Sequence, residues 1–272
     1  FDDCQAIVKG LFNNHAFRDR VRLSGVNSIN WARIVAQVVY YFAAGAALGA
    51  PHRAARYVVP TGNFGDVFAG YVAKRMGLPI SELVVATNVN DILERTIRTG
   101  RYEVTGVVPT SSPSMDIQVS SNFERLLFDA HGRDAGAVRR MMAGLAQSKS
   151  FSIGEQALAA IRSEFAAARA DEAEVSGMIK ATLGEAGYLL DPHTAVGLVA
   201  ARKVAADPAV PTVVLSTAHP AKFPDAVEAA SGTRPALPAW LGNLMEREER
   251  IAHLPNAQAA VEAYVLEKTR AA

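Results

Sequence analysis

The stretch Tyr57-Val58-Val59-Pro60-Thr61-Gly62-Asn63-Phe64-Gly65-Asp66 decides the fold. An apolar, β-branched run passes through small and polar residues straight into helix-forming sequence, Asp66 to Met76. Apolarity that is continuous rather than alternating suits a strand buried on both faces of a parallel sheet. Two other runs have the same form, Leu83-Val84-Val85-Ala86-Thr87 and Thr212-Val213-Val214-Leu215-Ser216-Thr217. They lead into helix-forming segments at Asp91 to Arg98 and Ala221 to Ala230. Strand then helix, repeated, predicts an α/β fold. Ligands of such sheets gather beyond the carboxyl ends of the strands, so the polar residues after these three runs are the first candidates for a site.

Between the second and third strands, Asp134 to Ala146, Ser152 to Ala168, Glu172 to Ala186 and Pro192 to Ala205 are rich in Ala, Leu, Glu, Arg and Lys and predict helices. The pair Asp191-Pro192 fits a helix start, with Asp as N-cap and Pro at the first helical position. Helix-forming sequence from Ala257 to Ala272 predicts a terminal helix, and Pro235, Pro238 and Pro255 keep the region before it irregular.

With 272 residues, 50% of them hydrophobic and 20% charged, the chain has ample material for a large core. A net charge of +1 argues against a nucleic-acid footprint and favours small molecules as ligands. The single Cys4 cannot close an internal disulfide, which favours a reducing cytoplasm. The longest apolar run, Ile34 to Ala50, is interrupted by Gln37 and is shorter than the ~20 residues that span a bilayer, so it reads as a buried helix and not a membrane segment. No metal-ligand pattern stands out. The chain opens on Phe1 with neither an initiator methionine nor a leader, which reads as part of a longer protein.

A strand running through Thr61-Gly62-Asn63-Phe64-Gly65-Asp66 into a helix can make an anion site. Glycines let backbone approach closely, and the N–H groups that open a helix lack internal partners and carry the positive end of the dipole. The turn lacks the Gly-Lys-Ser/Thr ending of a P-loop and the three-glycine spacing of a dinucleotide fingerprint. On the pentapeptide alone, a plain strand-to-helix turn, with Gly supplying positive φ and Asp66 capping the helix, is an equal alternative. Asn27 or Ser28 is placed to cap the long apolar helix, which would again set free N–H groups beside an anion.

Five strings occur in one order: Phe1-Asp2-Asp3-Cys4-Gln5, Asn27-Ser28-Ile29-Asn30-Trp31-Ala32-Arg33, Pro60 to Asp66, Ala86-Thr87-Asn88-Val89-Asn90-Asp91, and Thr217-Ala218-His219-Pro220-Ala221-Lys222-Phe223. Together they resemble bacterial and fungal threonine synthases. The resemblance implies a fold-type II pyridoxal 5′-phosphate (PLP) enzyme, with a three-layer parallel-sheet large domain and a helical insertion. Residues 1–29 would end a smaller substrate-side domain and residues 30–272 would belong to the large cofactor domain. The implied reaction converts O-phospho-L-homoserine and water to L-threonine and phosphate.

By the same resemblance, Gly62, Asn63, Phe64, Gly65 and Asp66 cradle the cofactor phosphate, and the Thr217 hydroxyl meets the pyridine nitrogen. Ser28, Asn30 and Arg33 fall on the substrate side, where a planar guanidinium suits either a carboxylate or a phosphate. His219 and Lys222 add positive charge just past Thr217, or serve as ordinary surface residues; His193 follows the Asp191-Pro192 start and could simply pack. Asn88, Asn90 and Asp91 shape a loop and cap the next helix.

The family's Schiff-base lysine lies in a Phe-Lys-Asp-like string upstream of the segment matching Phe1. None of Lys9, Lys74, Lys149, Lys180, Lys203, Lys222 and Lys268 has that context, so the N-terminal part of the enzyme is expected as a partner, and the chain alone is expected to be inactive. Two alternatives share the phosphate loop: another fold-type II lyase, such as a hydroxyamino-acid dehydratase, and a non-catalytic relative that binds phosphate or PLP.

Overall fold

The computed structural model describes residues 2–270. Phe1, Ala271 and Ala272, at the outer ends of the two expected domain spans, lie outside the described residues. In chain order the elements are α1 (Asp2–Asn13), α2 (His15–Arg20), α3 (Trp31–Ala47), β1 (Ala55–Pro60), α4 (Gly65–Arg75), β2 (Ile80–Thr87), α5 (Ile92–Thr99), β3 (Arg101–Glu103), α6 (Phe123–Ala130), α7 (Ala135–Ser148) and β4 (Ser150–Ser152). They continue with α8 (Glu155–Arg162), β5 (Phe165–Arg169), α9 (Glu172–Ala186), α10 (Pro192–Lys203), β6 (Thr212–Val214), α11 (Pro224–Ser231) and α12 (Gln258–Lys268). By internal contacts the residues up to Val26 and those from Pro238 onward form one compact unit, and Asn27–Leu237 form another. In the first unit Leu11, Phe17 and Val21 pack with Val261, Val265 and Leu266.

The second unit is built on a parallel sheet of order β5-β2-β1-β6. All six β1 residues are buried, as a run without polar alternation requires. Successive side chains point to opposite faces. Tyr57, Val59, Leu83 and Val85 pack with α3, α4 and α5 on one side, while Val58, Val84 and Ala86 pack with α9 and α10 on the other. Three layers result. The crossover from β1 to β2 through α4 and the return from β5 to β6 through α9 and α10 run in opposite directions along the sheet. Because such crossovers share one hand, their helices fall on opposite faces. The chain diverges between β1 and β6, and the crevice beyond those two carboxyl ends is where α/β sheets bind ligands.

Several sequence expectations are corrected. Ser152 to Ala168 is not one helix: α8 ends at Arg162, and Phe165-Ala166-Ala167-Ala168-Arg169 forms β5, paired along β2 from Leu83 to Thr87. Alanine favours helix by propensity, but here the open edge of β2 offers a full ladder, and tertiary context prevails. The small side chains alternate between the two cores, Phe165 and Ala167 on one face and Ala166 and Ala168 on the other. A short antiparallel pair, β3 with β4, is a further element that the sequence pattern does not predict. The third strand ends at Val214 rather than Thr217, although the Leu215 N–H still donates to the Val58 carbonyl at 3.0 Å. Helix α11 begins only at Pro224, after a single 3-10 turn at Pro220–Lys222. The cap of α3 is neither Asn27 nor Ser28 but Asn30, whose Oδ1 accepts from Ala32 N at 2.9 Å. The Asp191-Pro192 start is as expected, with the Asp191 carboxylate accepting from His193 N and Thr194 N.

Helix α10 lies close to the sheet because Gly197 has no side chain. A Cβ there would stand 2.8 Å from Val214 Cγ1 and 3.1 Å from Pro60 Cγ. Gly197→Ala is expected to cost about 1–3 kcal/mol in urea unfolding, through overpacking. A wild-type midpoint would contradict this packing.

Candidate functional site

The turn after β1 is shaped by contacts on its carbonyl side. The Gly62 carbonyl accepts from Ser120 Oγ at 2.9 Å, and the Asn63 carbonyl accepts from Asn122 N at 3.2 Å and Asn122 Nδ2 at 3.1 Å. Among the described residues, the N–H groups from Gly62 to Val67 meet no protein acceptor. They therefore form a run of donors at the start of α4, where the helix dipole is positive. Asn63 Oδ1 is also buried with no hydrogen-bond partner.

Neither glycine of the turn has positive φ; that conformation falls on Phe64, at φ 62°. Its ring is 1% exposed and packs against Phe123 and Phe165 at centroid distances of 5.2 and 5.6 Å, which holds the residue in this disfavoured region. Gly62 is small because a Cβ would stand 2.6 Å from the Ser114 carbonyl. Asp66 is not the N-cap either. It occupies the first turn of α4, and the Tyr41 hydroxyl lies 2.8 Å from its carbonyl and 3.1 Å from its Oδ1.

The donors border a cavity of about 470 Å³ at the β1/β6 divergence, within the usual size range of small-molecule pockets. Its wall brings together Ser28, Arg33, all five residues from Gly62 to Asp66, and Thr217. Asn30 is not on that wall, and its side chain is engaged in capping α3. Of the two residues past Thr217, Lys222 lines the cavity, whereas His219 uses Nδ1 to accept from Ala221 N at 3.1 Å. Lys222 is the lysine of this wall among the described residues.

His193 has a larger part than its sequence context suggested. It is 4% exposed, on the cavity wall, with its ring 4.6 Å from that of Phe223. Its Nδ1 lies 3.0 Å from Asp191 Oδ1, and its Nε2 accepts from Ser114 N at 3.3 Å, a pattern that fits the neutral ring protonated on Nδ1. Ser114 is thus held at its N–H by His193, and its carbonyl lies close against Gly62. Its loop is tied down by the buried pair Asn88 and Asn90, whose amides donate to Asp116 Oδ1 at 2.8 and 2.9 Å. Thr110 N donates to Asp116 Oδ2 at 2.8 Å. Asn88 and Asn90 shape a loop, as expected, and it closes one side of the turn after β1; Asp91 stands at the N-cap position of α5 but its carboxylate accepts from Arg95 and Arg169 instead of capping the helix.

Gln37, Tyr40, Ser114, Met115 and Phe223 also line the cavity and were not singled out from sequence. Gln37 and Tyr40 carry a readable signal, since they follow Arg33 by four and seven residues along α3 and so share its face. Ser114 and Met115 carry none, because a long-range loop delivers them.

A family model described as "Threonine synthase, C-terminal" matches residues 194–265. The threonine synthase of Pseudomonas aeruginosa is 52% identical over 266 residues, covering 97% of this chain and 57% of that protein. The crystal structure of PLP-bound threonine synthase from Brucella melitensis superimposes with a TM-score of 0.93 at 61% identity, covering 99% of this chain and 58% of the other. The Escherichia coli threonine synthase structure gives 0.77 at 32% identity, covering 98% and 56%. The chain thus spans less than two thirds of the length of these relatives.

Asp66 brings a titrating group to the turn. Burial pushes its carboxyl from 3.8 up to about 6, against a hydrogen bond from Tyr41 that favours the ionised form. Because the folded value exceeds the unfolded one, the stabilisation from the protonated form is complete below 3.8 and is lost as pH rises through about 6. Asp66→Asn should gain on the wild type in unfolding free energy between about pH 4 and 6, by at most ~3 kcal/mol, and hold a constant difference above about pH 7. A difference that is flat across this range would show that Asp66 titrates normally.

Proposed function

Since the chain belongs to the threonine synthase family, we propose that it supplies the cofactor-phosphate cradle and much of the substrate pocket of an enzyme that converts O-phospho-L-homoserine and water to L-threonine and phosphate with PLP. The observation that carries this reading is the run of N–H groups from Gly62 to Val67, left without protein acceptors among the described residues beside the cavity at the β1/β6 divergence. A phosphate monoester suits it, since several oxygens can accept from successive backbone donors and gain from the helix dipole. The unpaired Asn63 Oδ1 offers a further polar contact to a ligand in the same cavity.

PLP, when bound, supplies the electron sink that lets protons leave carbons close to the substrate amine. The chain's own residues bind and orient. Gly62 to Asp66 hold the phosphate end. Thr217, beyond β6 on the same wall, would present a neutral hydroxyl to the pyridine nitrogen. A hydroxyl need not protonate that nitrogen and so would temper the sink. Ser28 and Arg33 take the substrate's carboxylate or phosphate, and Asn30 supports them. In that role Ser28 and Arg33 act from the cavity wall, and Asn30 acts by fixing the start of α3. Lys222 adds positive charge on the wall for the anionic substrate. The lysine that anchors the cofactor covalently is assigned to the part of the relatives' length that this chain does not span, so the chain alone is catalytically silent.

Exchange of this chain for the matching part of the Pseudomonas aeruginosa enzyme tests the reading. The chimera is expected to release phosphate from O-phospho-L-homoserine and form threonine, with kcat/KM lowered about 100-fold by Arg33→Ala, as for loss of a charged hydrogen bond to substrate. Release of ammonia from threonine, with no turnover of the phosphate ester, would replace this reading with that of a dehydratase.

A further inference from the structure

Asn122 is the residue before α6, a place where an asparagine side chain ordinarily accepts from the first N–H groups of its own helix. Here it makes no such cap. Its side chain is 1% exposed, and its amide is turned the other way: Nδ2 donates to the Asn63 carbonyl at 3.1 Å and to the Ser28 carbonyl at 2.9 Å. Its backbone N–H donates to the same Asn63 carbonyl at 3.2 Å. Asn122 Oδ1 accepts from Arg125 Nε at 3.0 Å, and the Arg125 guanidinium donates to the Ile29 carbonyl at 3.0 Å. One buried amide therefore holds both the phosphate turn and the segment that leads to Arg33.

The consequence for the turn follows from the planar trans peptide, in which C=O and N–H point in opposite directions. Two donors from Asn122 fix the Asn63 carbonyl, which fixes the N–H of Phe64 on the opposite side of that peptide. In the same way Ser120 Oγ, by holding the Gly62 carbonyl at 2.9 Å, fixes the N–H of Asn63. Donors aimed before a ligand arrives need no reorganisation when it binds.

We infer that Asn122 is a positioning residue: with Ser120 it aims the backbone donors of the turn at the phosphate group of the ligand, and it sets the Ser28 segment in register with that turn. The inference rests on the cofactor reading above and touches no reacting atom itself. Local destabilisation would weaken every ligand of the cavity, whereas misaimed donors would weaken only those that carry a phosphate.

The test compares PLP with pyridoxal, which lacks the phosphate, by equilibrium dialysis against the full chain, with far-ultraviolet dichroism to confirm folding. The wild type is expected to prefer PLP. Asn122→Ala and Asn122→Asp, the second nearly isosteric but without the side-chain donors, are expected to reduce that preference about tenfold or more while leaving pyridoxal affinity unchanged. Ser120→Ala, which leaves Asn122 in place, is expected to reduce it as well, and it carries the comparison if Asn122→Ala does not fold. An undiminished preference in the folded variants overturns the inference and leaves the cofactor reading standing. A wild type that does not distinguish PLP from pyridoxal overturns the cofactor reading and this inference with it.

Discussion

A peptide group cannot turn its carbonyl without turning its N–H, and the candidate site depends on that constraint. The carbonyls of Gly62 and Asn63 are held by Ser120 and Asn122, so the adjoining N–H groups are committed to the opposite direction. No protein acceptor meets the N–H groups from Gly62 to Val67 among the described residues. A buried donor without a partner costs about 1–3 kcal/mol, so a run of them is tolerated only where water or a ligand completes it. The dipole of α4 puts its positive end at that position. The sequence of the turn, the strand that delivers it and the loop that pins it therefore serve one arrangement of donors.

The surrounding packing keeps that arrangement from relaxing. Phe64 is held at positive φ by an aromatic cluster with Phe123 and Phe165. Tyr57 on β1 donates to the Tyr41 carbonyl on α3 at 3.0 Å, and the Tyr41 hydroxyl in turn reaches Asp66 on α4. The two tyrosine rings stand 5.1 Å apart, so strand, helix and turn are joined by one aromatic pair with satisfied hydroxyls. On the other side, the Asp116 knot with Asn88, Asn90 and Thr110 fixes the loop whose Ser114 lies against Gly62 and His193. Loops carry function when a rigid scaffold positions them, and here that scaffold is a set of buried amides and carboxylates rather than regular structure.

What the sequence revealed and what it hid follow from how far apart the cooperating residues lie. The succession β1, turn, α4 is contiguous, and its apolar run and glycines are local signals, so the sheet type and the strand-turn-helix were legible. Ser28, Arg33 and Thr217 were legible only through the company of the other motifs, yet they line the same cavity. The polyalanine strand β5 was not, because its strand character comes from the edge of β2 and not from its own side chains. Asn30 as the cap of α3 was a matter of two or three residues' offset between equally good capping types. Local preference alone would leave positive φ in such a turn to glycine, but tertiary packing holds the bulky Phe64 there. Ser120 and Asn122 had no sequence signal at all: their roles exist only once a distant loop is folded against the turn.

The most direct test of the central claim is an amide-resolved titration of the isotope-labelled chain with PLP, followed by heteronuclear NMR. The account predicts that the largest shift changes and the gain in protection from exchange fall on the amides of Gly62 to Val67, with pyridoxal producing neither at the same concentration. Shift changes confined to other residues, with the amides from Gly62 to Val67 unmoved at saturation, would contradict it.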